Sequence, residues 1–331
     1  MKFMAIDTGK TKTVAMMFNS DLDILCSVSS GPADITLDED VIKMNIKKAI
    51  DSCFRISGTD FKDVDLIVFS WAGLDTKRDF DIAWSHIREL GYPTEKIVVE
   101  HDAVTAFYAV TWGRPGVAVI AGTGAIAFGM NKYGHKARSS GWGWIIGDEG
   151  SASWIALQAL NAASRAYDGR GCYTSLVDRI KTFYGADDLL DIVTYVYRMK
   201  PFDISRIAAI AMLVDAEAEK GDAVAREIME RAGLELALSA HNVAQKLNMV
   251  DDNIVVGGIG SVFRSKIVSR VFKDSIGRLL RNATLSEPII GYKAVLGPAI
   301  IALHRLGIEI SQTTVERIMK SIESSETVPV D

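Results

Sequence analysis

The pattern of apolar and polar positions at the start of the chain predicts a β-hairpin. Residues 3–6 and 14–18 are apolar runs, and the polar segment 7–13 between them carries a glycine at position 9. Two apolar runs about a short glycine turn are typical of a hairpin. Strand-like runs then alternate with segments of helical spacing; they are the strands 65–69 and 97–100 and the helices 39–56, 79–90 and 102–110. Strands that alternate with helices predict an α/β sheet.

The second half of the chain opens as the first does. After residues 112–116, which interrupt the pattern, two apolar runs at 117–121 and 125–129 flank a tight turn at 122–124. The segments that follow are helices at 148–165, 205–247 and 263–281 and a strand at 254–256 that runs into a glycine turn at 257–260. The pattern predicts two domains, 1–114 and 115–294, and C-terminal helices over 295–331 that pack back on the first domain. The last seven residues are expected to fray.

Composition limits the classes of function without selecting one. The chain has 331 residues, of which 48% are hydrophobic and 24% are charged, and its net charge is −5. These values are typical of a globular protein with no electrostatic attraction to nucleic acid or to an anionic membrane. The N-terminus becomes polar too early for a signal peptide, and no apolar run approaches the ~18 residues of a membrane span. We expect a cytoplasmic protein with neither a nucleic-acid nor a membrane partner.

The cysteines and histidines lack the spacing of a metal site. Cys26, Cys53 and Cys172 form no CxxC pair, and the five histidines form no HxH or HxxxH pair. Small buried hydrophobic side chains are the expected role of such scattered cysteines. The spacing therefore indicates neither a zinc site nor an iron–sulfur cluster held by this chain alone.

Glycine-containing turns follow three of the strands; they are residues 7–13, 122–124 and 257–261. Glycines in such turns let backbone N–H groups converge on phosphate oxygens. Two common nucleotide motifs do not fit these turns. Met4 stands where a P-loop needs its first glycine, and Ala127 and Phe263 stand where the Rossmann fingerprint needs its third. The sequence argues against P-loop NTPases and dinucleotide-binding dehydrogenases.

The order of these segments resembles the actin/hexokinase/Hsp70 ATPase superfamily. In chain order the segments are a first phosphate loop at 7–13, a connector at 98–110, a second phosphate loop at 119–129, an adenosine loop at 253–263 and a second connector helix that starts near Gly297. The resemblance covers nearly the whole chain. It implies an α/β fold with two ribonuclease H-like (actin-like ATPase) domains around a central cleft.

Five motifs resemble one subfamily, the N-acetylglucosamine kinase/BadF–BcrA family. The most specific is the segment 141–151, Gly-Trp-Gly-Trp-Ile-Ile-Gly-Asp-Glu-Gly-Ser. The other four are the first loop 7–13, the sugar-facing loops 31–34 and 71–75, and the connector 100–103, Glu-His-Asp-Ala. The chain departs from the family at Thr8 and Lys10, where glycines are usual, at His101, where Asn is usual, and at Asp34, where amino-sugar kinases usually have Asn.

The resemblance implies which residues bind ATP and its metal ion. The residues expected at the phosphates are Gly9, Lys10, Thr11, Thr13, Gly122, Thr123 and Gly124. Those expected on the adenosine side are Gly257, Gly258 and Ser261. Asp7 matches the family's first-loop acid, which acts on Mg²⁺, usually through water. ATP and Mg²⁺ are the expected cofactors.

Asp102 is the candidate general base, because a substrate hydroxyl must lose its proton as it attacks the γ-phosphoryl group. Spacing alone favours a plain helix N-cap at Asp102, and the connector resemblance favours catalysis. The substrate contacts that the family implies are Asp34, Gly73, Asp102, Thr123, Gly141, Trp142 and Asp148. Asp148 and Glu149 are expected at the start of a helix, whose dipole they complement.

The leading hypothesis is an ATP- and Mg²⁺-dependent sugar kinase. The substrate alternatives are N-acetylglucosamine, another hexose, or 2-keto-3-deoxygluconate, because Asp34 departs from the amino-sugar pattern. An activator ATPase of a 2-hydroxyacyl-CoA dehydratase-type system is the alternative within the same fold, and cysteines outside the glycine turns argue against it. A sugar-sensing regulator would carry a helix-turn-helix ahead of the first phosphate strand. A homodimer is expected, since dimers are common in the family.

Overall fold

The computed structural model describes residues 1–198 and 203–330. The chain divides into two compact units. Unit 1 consists of Met1–Arg114 and Gly291–Asp331, and unit 2 consists of Pro115–Ile290. The chain therefore leaves unit 1 once, builds unit 2 and returns. Each unit has a sheet and a hydrophobic core of its own.

Eleven strands occur among the described residues. They are β1 Lys2–Thr8, β2 Thr13–Asn19, β3 Ile24–Ser30, β4 Leu66–Trp71, β5 Ile97–His101, β6 Gly116–Ala121, β7 Ala125–Met130, β8 Lys136–Ser140, β9 Val255–Ile259, β10 Thr284–Leu285 and β11 Val328–Pro329.

Twelve α-helices occur in the same described residues. They are α1 Glu39–Ser57, α2 Lys77–Glu89, α3 Asp102–Thr111, α4 Ala152–Tyr167, α5 Leu176–Tyr184, α6 Ile192–Tyr197, α7 Ile204–Ala208, α8 Ile210–Glu219, α9 Ala223–Lys246, α10 Lys266–Leu279, α11 Leu296–Arg305 and α12 Gln312–Ser324. Short 3₁₀ helices lie at Phe61–Asp63, Thr94–Lys96, Leu189–Asp191, Ser261–Arg264 and Gly291–Val295. None of the described helices combines the length and apolar character needed to cross a membrane.

The two sheets share an order of five strands. In unit 1 it is β3-β2-β1-β4-β5, with β11 added beside β3, and in unit 2 it is β8-β7-β6-β9-β10. In both, the first three strands form an antiparallel meander, and the fourth and fifth run parallel to the first. The predicted α/β class and both predicted hairpins are confirmed.

The apolar runs that predicted the central strands are buried by helices. Phe3, Met4, Ala5 and Ile6 of β1 are fully buried, because α11 packs against β1 and β4 while α1 packs against β2 and β3. A strand covered on both faces needs a continuous apolar run rather than an alternating one. In unit 2, α4, α8, α9 and α10 contribute to the core around β6 and β7.

The return of the chain to unit 1 comes earlier than the sequence predicts. Unit 2 ends at Ile290 rather than at residue 294, because the 3₁₀ helix Gly291–Val295 contacts β1 and β2. One of its side chains, Tyr292, lies with its ring centroid 3.6 Å from Lys12 Nζ, a cation–π contact. The expected fraying of the last residues is wrong as well, since β11 pairs in parallel with β3.

Candidate active site

The carboxyl ends of three parallel strands bring polar residues together in unit 1. In register, Asp7 of β1 pairs with Ser70 of β4, and Trp71 of β4 pairs with His101 of β5. Open α/β sheets bind ligands beyond the carboxyl ends of their strands. Ser70 Oγ hydrogen-bonds Thr105 Oγ1 of α3 at 2.6 Å, which ties the end of β4 to the helix that follows β5. This edge of the sheet is the candidate catalytic region of unit 1.

Asp7 is a carboxylate whose charge is costly in its surroundings. Burial, and to a smaller extent the negative charge of Asp102, raise the pKa of Asp7 to about 6, against the opposing effects of a hydrogen bond with Ser70 and the charge of Lys12. A cation beside Asp7 would offset both the unfavourable burial of its charge and the repulsion by Asp102. One carboxylate is enough for Mg²⁺, which keeps several water ligands, so Asp7 fits a divalent cation. Among the described residues, no group of three or more His, Cys, Asp or Glu side chains is arranged to hold a metal ion.

His101, rather than Asp102, caps helix α3. The His101 side chain accepts a hydrogen bond from the Ala103 backbone N–H, and Asp102 is the first helical residue. The N-cap role that spacing favoured for Asp102 is therefore wrong, because an imidazole nitrogen can occupy the capping position in its place. The Asp102 side chain, 30% exposed, is left available for chemistry. Its neighbours include the histidine before it as well as Asp7.

His101 lies between two carboxylates. Its Nδ1 is 2.7 Å from Asp102 Oδ1, and its Nε2 is 3.7 Å from Asp75 Oδ1 in the segment between β4 and α2. Burial lowers the pKa of His101, but the hydrogen bonds and charges of Asp102 and Asp75 outweigh it and raise the pKa to about 9. No role was predicted for the Asp75 or His101 side chains. Their places in the sequence could have identified them, because Asp75 follows β4 and His101 ends β5, two neighbouring parallel strands.

The turn of the first hairpin combines exposed polar groups with one buried hydroxyl. Gly9 N–H donates to Lys12 carbonyl oxygen at 3.0 Å and closes the turn, which exposes Lys10 and Thr11. Thr13 Oγ1, at the start of β2, is buried and has no hydrogen-bond partner among the described residues. Of the seven residues predicted to contact phosphate, Gly9, Lys10 and Thr11 thus lie in this turn and Thr13 begins the strand after it. Lys10 and Thr11 are exposed to solvent.

Asp34 has one carboxylate oxygen with no partner. The residue is 1% exposed, and its Oδ1 accepts hydrogen bonds from the backbone N–H and the hydroxyl of Thr36. Its Oδ2 is buried and accepts no hydrogen bond from any described residue. Gly73 lies beside it with φ 83°, and a Cβ there would lie 2.7 Å from Ile35 Cγ2 and 3.6 Å from Asp34 Oδ2. The predicted pair Asp34 and Gly73 is therefore brought together at an unsatisfied acceptor.

In unit 2, the turn of the second hairpin lies against the start of α4. Ala152 N–H donates to Gly122 carbonyl oxygen at 2.9 Å, and Ser153 Oγ donates to Thr123 carbonyl oxygen at 2.6 Å. The turn itself is closed by a bond from Gly122 N–H to Gly124 carbonyl oxygen at 2.9 Å. The first turn of α4 thereby fixes the predicted second phosphate turn.

Asp148 joins this turn from a strained position outside the helix. Helix α4 begins at Ala152 with Ser151 as its N-cap, so the expectation of Asp148 and Glu149 at the helix start is wrong. Asp148 has φ 57°, a left-handed conformation that is uncommon for a residue with a side chain. It is buried, and its Oδ1 accepts a hydrogen bond from Gly143 N–H at 3.0 Å. A Cβ at Gly124 would lie 2.6 Å from Asp148 Oδ2, so only glycine admits this carboxylate.

Trp142 lies at the surface of the same loop. Its side chain is 65% exposed, and the Arg138 guanidinium carbon lies 5.5 Å from its ring centroid. The neighbouring Gly141 has φ 74°, and a Cβ there would lie 2.8 Å from Ile126 Cδ1. Gly141 thus permits a close approach between this loop and β7. The exposure of the Trp142 ring excludes a role in core packing.

The predicted adenosine turn begins later than expected. Gly257 and Gly258 lie inside β9 and are buried, because β9 pairs with β6 along its whole length. The turn itself is Gly260 and Ser261. Gly260 has φ 117°, a Cβ there would lie 2.4 Å from the Ala121 carbonyl oxygen, and Ser261 is exposed. Gly258 serves packing as well, since a Cβ would lie 2.5 Å from the Phe263 ring.

The cysteines lie away from these turns. Cys26 on β3 and Cys53 on α1 are buried together, with Cys53 Sγ 3.9 Å from Cys26 carbonyl oxygen. Cys172, between α4 and α5, is exposed.

Comparison with known proteins places this geometry in context. The model of the BadF/BadG/BcrA/BcrD ATPase family matches residues 5–302. The N-acetylmuramic acid/N-acetylglucosamine kinase of Clostridium acetobutylicum is 34% identical over 80% of this chain and 87% of its own. The N-acetyl-D-glucosamine kinase of Dictyostelium discoideum is 27% identical over 91% of this chain and 98% of its own.

Solved structures show the same fold. A protein of Chromobacterium violaceum, described as a candidate N-acetylglucosamine kinase, superposes with a TM-score of 0.72 at 21% identity, over 91% of this chain and 98% of that one.

Proposed function

The chain belongs to the BadF/BadG/BcrA/BcrD ATPase family, and on that premise we propose that it is an ATP-dependent sugar kinase. The transferred γ-phosphoryl group would go to a hydroxyl of an N-acetylated amino sugar, the substrate class in the names of both curated relatives. The observation that carries the proposal is the pair Asp7 and Asp102 at the carboxyl end of the unit 1 sheet. One carboxylate suits a metal ion and the other suits proton abstraction.

Asp102 is the proposed general base. The substrate hydroxyl oxygen forms the new bond to the γ-phosphorus as the bond from that phosphorus to the ADP oxygen breaks, and Asp102 accepts the hydroxyl proton. Its carboxylate lies on the first turn of α3, 30% exposed and beside His101. This exposure supports access of a substrate hydroxyl to the carboxylate.

Asp7 is the proposed residue for Mg²⁺, through water. Mg²⁺ keeps several water ligands and needs only one or two protein carboxylates. When bound, Mg²⁺ would neutralise negative charge on the phosphates. The raised pKa of Asp7 supports the proposal, because burial and the charge of Asp102 outweigh the hydrogen bond with Ser70 and the charge of Lys12.

The glycine turns are the proposed phosphate and adenosine contacts. In unit 1 these are Gly9, Lys10, Thr11 and Thr13; in unit 2 they are Gly122, Thr123, Gly124, Gly257, Gly258 and Ser261. Gly122 supports this role, since even a Cβ would meet nothing within 4 Å there. Gly257 and Gly258 would act from within β9, and Ser261 from the turn that follows it.

Asp34 and Gly73 are the proposed substrate contacts of unit 1. Those proposed in unit 2 are Thr123, Gly141, Trp142 and Asp148. A buried acceptor without a donor costs about 1–3 kcal/mol, which a substrate hydroxyl or N–H would recover. An ionised carboxylate accepts hydrogen bonds and repels another carboxylate. Asp34 Oδ2 therefore supports a sugar hydroxyl or amide N–H at this point, and argues against the carboxylate of a sugar acid.

A coupled ATP-turnover assay over a sugar panel tests the proposal. The panel contains N-acetylglucosamine, N-acetylmuramic acid, glucosamine, glucose, gluconate and 2-keto-3-deoxygluconate. We expect turnover with at least one N-acetylated sugar, its loss in Asp102→Asn, and its retention in Asp21→Asn, a matched change at an exposed turn of unit 1. ATP hydrolysis that no sugar accelerates would overturn the kinase and favour an activator ATPase. Turnover with gluconate or 2-keto-3-deoxygluconate alone would overturn the substrate class.

A further inference from the structure

The His101 ring lies between the carboxylates of Asp75 and Asp102 within unit 1. Asp75 Oδ1 lies 3.7 Å from its Nε2, and Asp102 Oδ1 lies 2.7 Å from its Nδ1. The three residues come from the ends of two neighbouring parallel strands, since Asp75 follows β4 and His101 ends β5. The His101 side chain is 16% exposed, so water competes little for these contacts.

Nδ1 of His101 has two partners that exclude each other. The Ala103 backbone N–H, at 2.8 Å, needs a bare nitrogen that accepts, whereas Asp102 Oδ1, at 2.7 Å, needs an N–H that donates. The protonation state of the ring therefore decides which contact forms. With a proton on Nδ1, His101 holds the Asp102 carboxylate. Without it, His101 caps α3 and releases Asp102.

The surrounding charges favour the protonated ring at neutral pH. Asp75 faces it from the segment after β4, and Asp102 faces it from α3. The charge of Asp102 raises the pKa of Asp7 on β1, and the charge of Lys12 lowers it. The charge of Glu100, the preceding residue on β5, raises the pKa of Tyr108. Because carboxylates outnumber cations around the ring, the pKa of His101 is raised to about 9.

When Nδ1 of His101 carries a proton, it binds one oxygen of the Asp102 carboxylate and leaves the other for the substrate. His101 engages Oδ1, and the described residues form no hydrogen bond with Oδ2. A carboxylate held through one oxygen has a defined orientation, which a base needs because misplacement of a catalytic group by about 1 Å costs up to 10²-fold in rate.

We propose that His101, anchored by Asp75, is a positioning residue that orients the Asp102 carboxylate with Oδ2 toward the substrate hydroxyl. The proposal rests on the proposed function, in which Asp102 is the base. His101 keeps its own proton throughout. The substrate proton goes to Asp102 Oδ2, and no proton passes through the ring. The conformational consequence is that loss of the His101 proton at alkaline pH frees Asp102 and lowers kcat.

Paired substitutions of His101 separate orientation from packing. Asparagine places an amide N–H close to the position of histidine Nδ1, and glutamine places one close to that of Nε2. We expect His101→Asn to keep kcat within about threefold and His101→Gln to lose about 10- to 100-fold, with the sugar KM changed less than kcat in both. His135→Asn, at an exposed histidine of unit 2, is the matched control and should behave as the unsubstituted protein.

The pH profile gives a readout that a merely structural role would not move. We expect kcat of the unsubstituted protein to fall as the pH rises through about 9, and the fall to be absent in His101→Asn, whose amide does not titrate. Full activity in His101→Gln, or the same alkaline fall in His101→Asn, would overturn the proposal.

A titration of the histidine ring by NMR distinguishes failure of this inference from failure of the kinase. In the full chain, we expect the His101 resonances to titrate near pH 9 and the midpoint to drop in Asp102→Asn and in Asp75→Asn. This readout needs no turnover. A midpoint that neither substitution moves overturns the pairing even in an active kinase. A shifted midpoint in a protein that phosphorylates no sugar would show the pairing, and would overturn its positioning role together with the proposed function.

Discussion

The two sheets share one strand order, and their strand ends carry different chemistry. In unit 1, the first strand of the hairpin ends near a carboxylate, Asp7, and the following parallel strand ends lead into Asp75, His101 and Asp102. In unit 2, the matching first strand ends at Ala121, and the fourth ends next to Gly260. One topology thus supports a charged edge in the first unit and a glycine-lined edge in the second.

The difference lies in what each unit needs close to its backbone. Unit 1 places ionisable groups at the ends of parallel strands. The raised pKa of Asp7 shows the electrostatic cost of its burial, whereas the raised pKa of His101 reflects attraction to the Asp75 and Asp102 carboxylates. Unit 2 removes side chains, so that Gly124 admits the Asp148 carboxylate and Gly260 admits the Ala121 carbonyl. We infer that unit 1 performs the proton chemistry and unit 2 provides shape and backbone contacts.

The largest expected effect comes from substituting the proposed general base, which lies at the charged edge of unit 1. We expect Asp102→Asn to lower kcat by about 10²–10⁴-fold, because an amide cannot accept the substrate proton. ATP affinity, measured by calorimetry, should stay within about threefold, since the change retains shape. Retained turnover in the coupled assay would remove Asp102 as the base.

A substitution in unit 2 should act on stability instead. We expect Gly260→Ala to lower the free energy of unfolding by about 3 kcal/mol, because φ 117° is unsuitable for a side chain and the new methyl group would lie 2.4 Å from a carbonyl oxygen. The measurement is denaturation by urea. Gly277→Ala is the control: it lies exposed in α10 with nothing within 4 Å, and should gain about 0.5–1 kcal/mol. Equal effects of the two changes would contradict this account of the glycine-lined edge.

Asp7 tests whether the charged edge costs stability. Its pKa of about 6 in the folded chain exceeds the unfolded value near 3.8, so the folded form binds more protons between these values. The contribution of Asp7 to the free energy of unfolding therefore increases as the pH falls through 6, and it reaches its full value only below about pH 4. At pH 7 Asp7→Asn should raise the free energy of unfolding by about 3 kcal/mol while abolishing turnover.

Urea denaturation at pH 7 and pH 5, without nucleotide or metal, checks the Asp7 prediction. The gain of Asp7→Asn over the unsubstituted protein should shrink at pH 5. A gain that is the same at both pH values, or absent at pH 7, would show that the buried charge carries no cost. Asp21→Asn serves as the exposed aspartate for reference.

The smallest expected effect concerns substrate recognition in unit 1. We expect Asp34→Ala to raise the sugar KM by about 10- to 100-fold, the equivalent of about 1.5–3 kcal/mol for a hydrogen bond to a charged group. The KM for ATP should be unchanged, because the Asp34 carboxylate lies beside Gly73 and bonds Thr36, neither of which is a proposed phosphate contact. Initial-rate kinetics with each substrate varied in turn would decide. Equal rises in both KM values would indicate a general loss of structure.

Local pattern was a good guide to the elements and a poor guide to their ends. Both hairpins and the helices around residues 39–57 and 223–246 follow from apolar periodicity, and the structure has them. The start of α4 was misplaced, because the left-handed conformations of Asp148 and Gly150 stop the helix before Ser151 caps it. Strands β3 and β8 were missed, since their polar residues interrupt the alternation that marks a strand.

The sequence by itself determined the α/β class and the two hairpins with their glycine turns, which depend on local periodicity. The candidate carboxylates Asp7, Asp34, Asp102 and Asp148 came from short motifs that resemble a known family. Tertiary structure alone decided that His101 caps α3 and meets Asp75, that Asp34 Oδ2 is buried without a donor, and that β11 joins β3. Each of these depends on residues brought together from separate strands or loops, where burial and neighbouring charge, rather than spacing, set the chemistry.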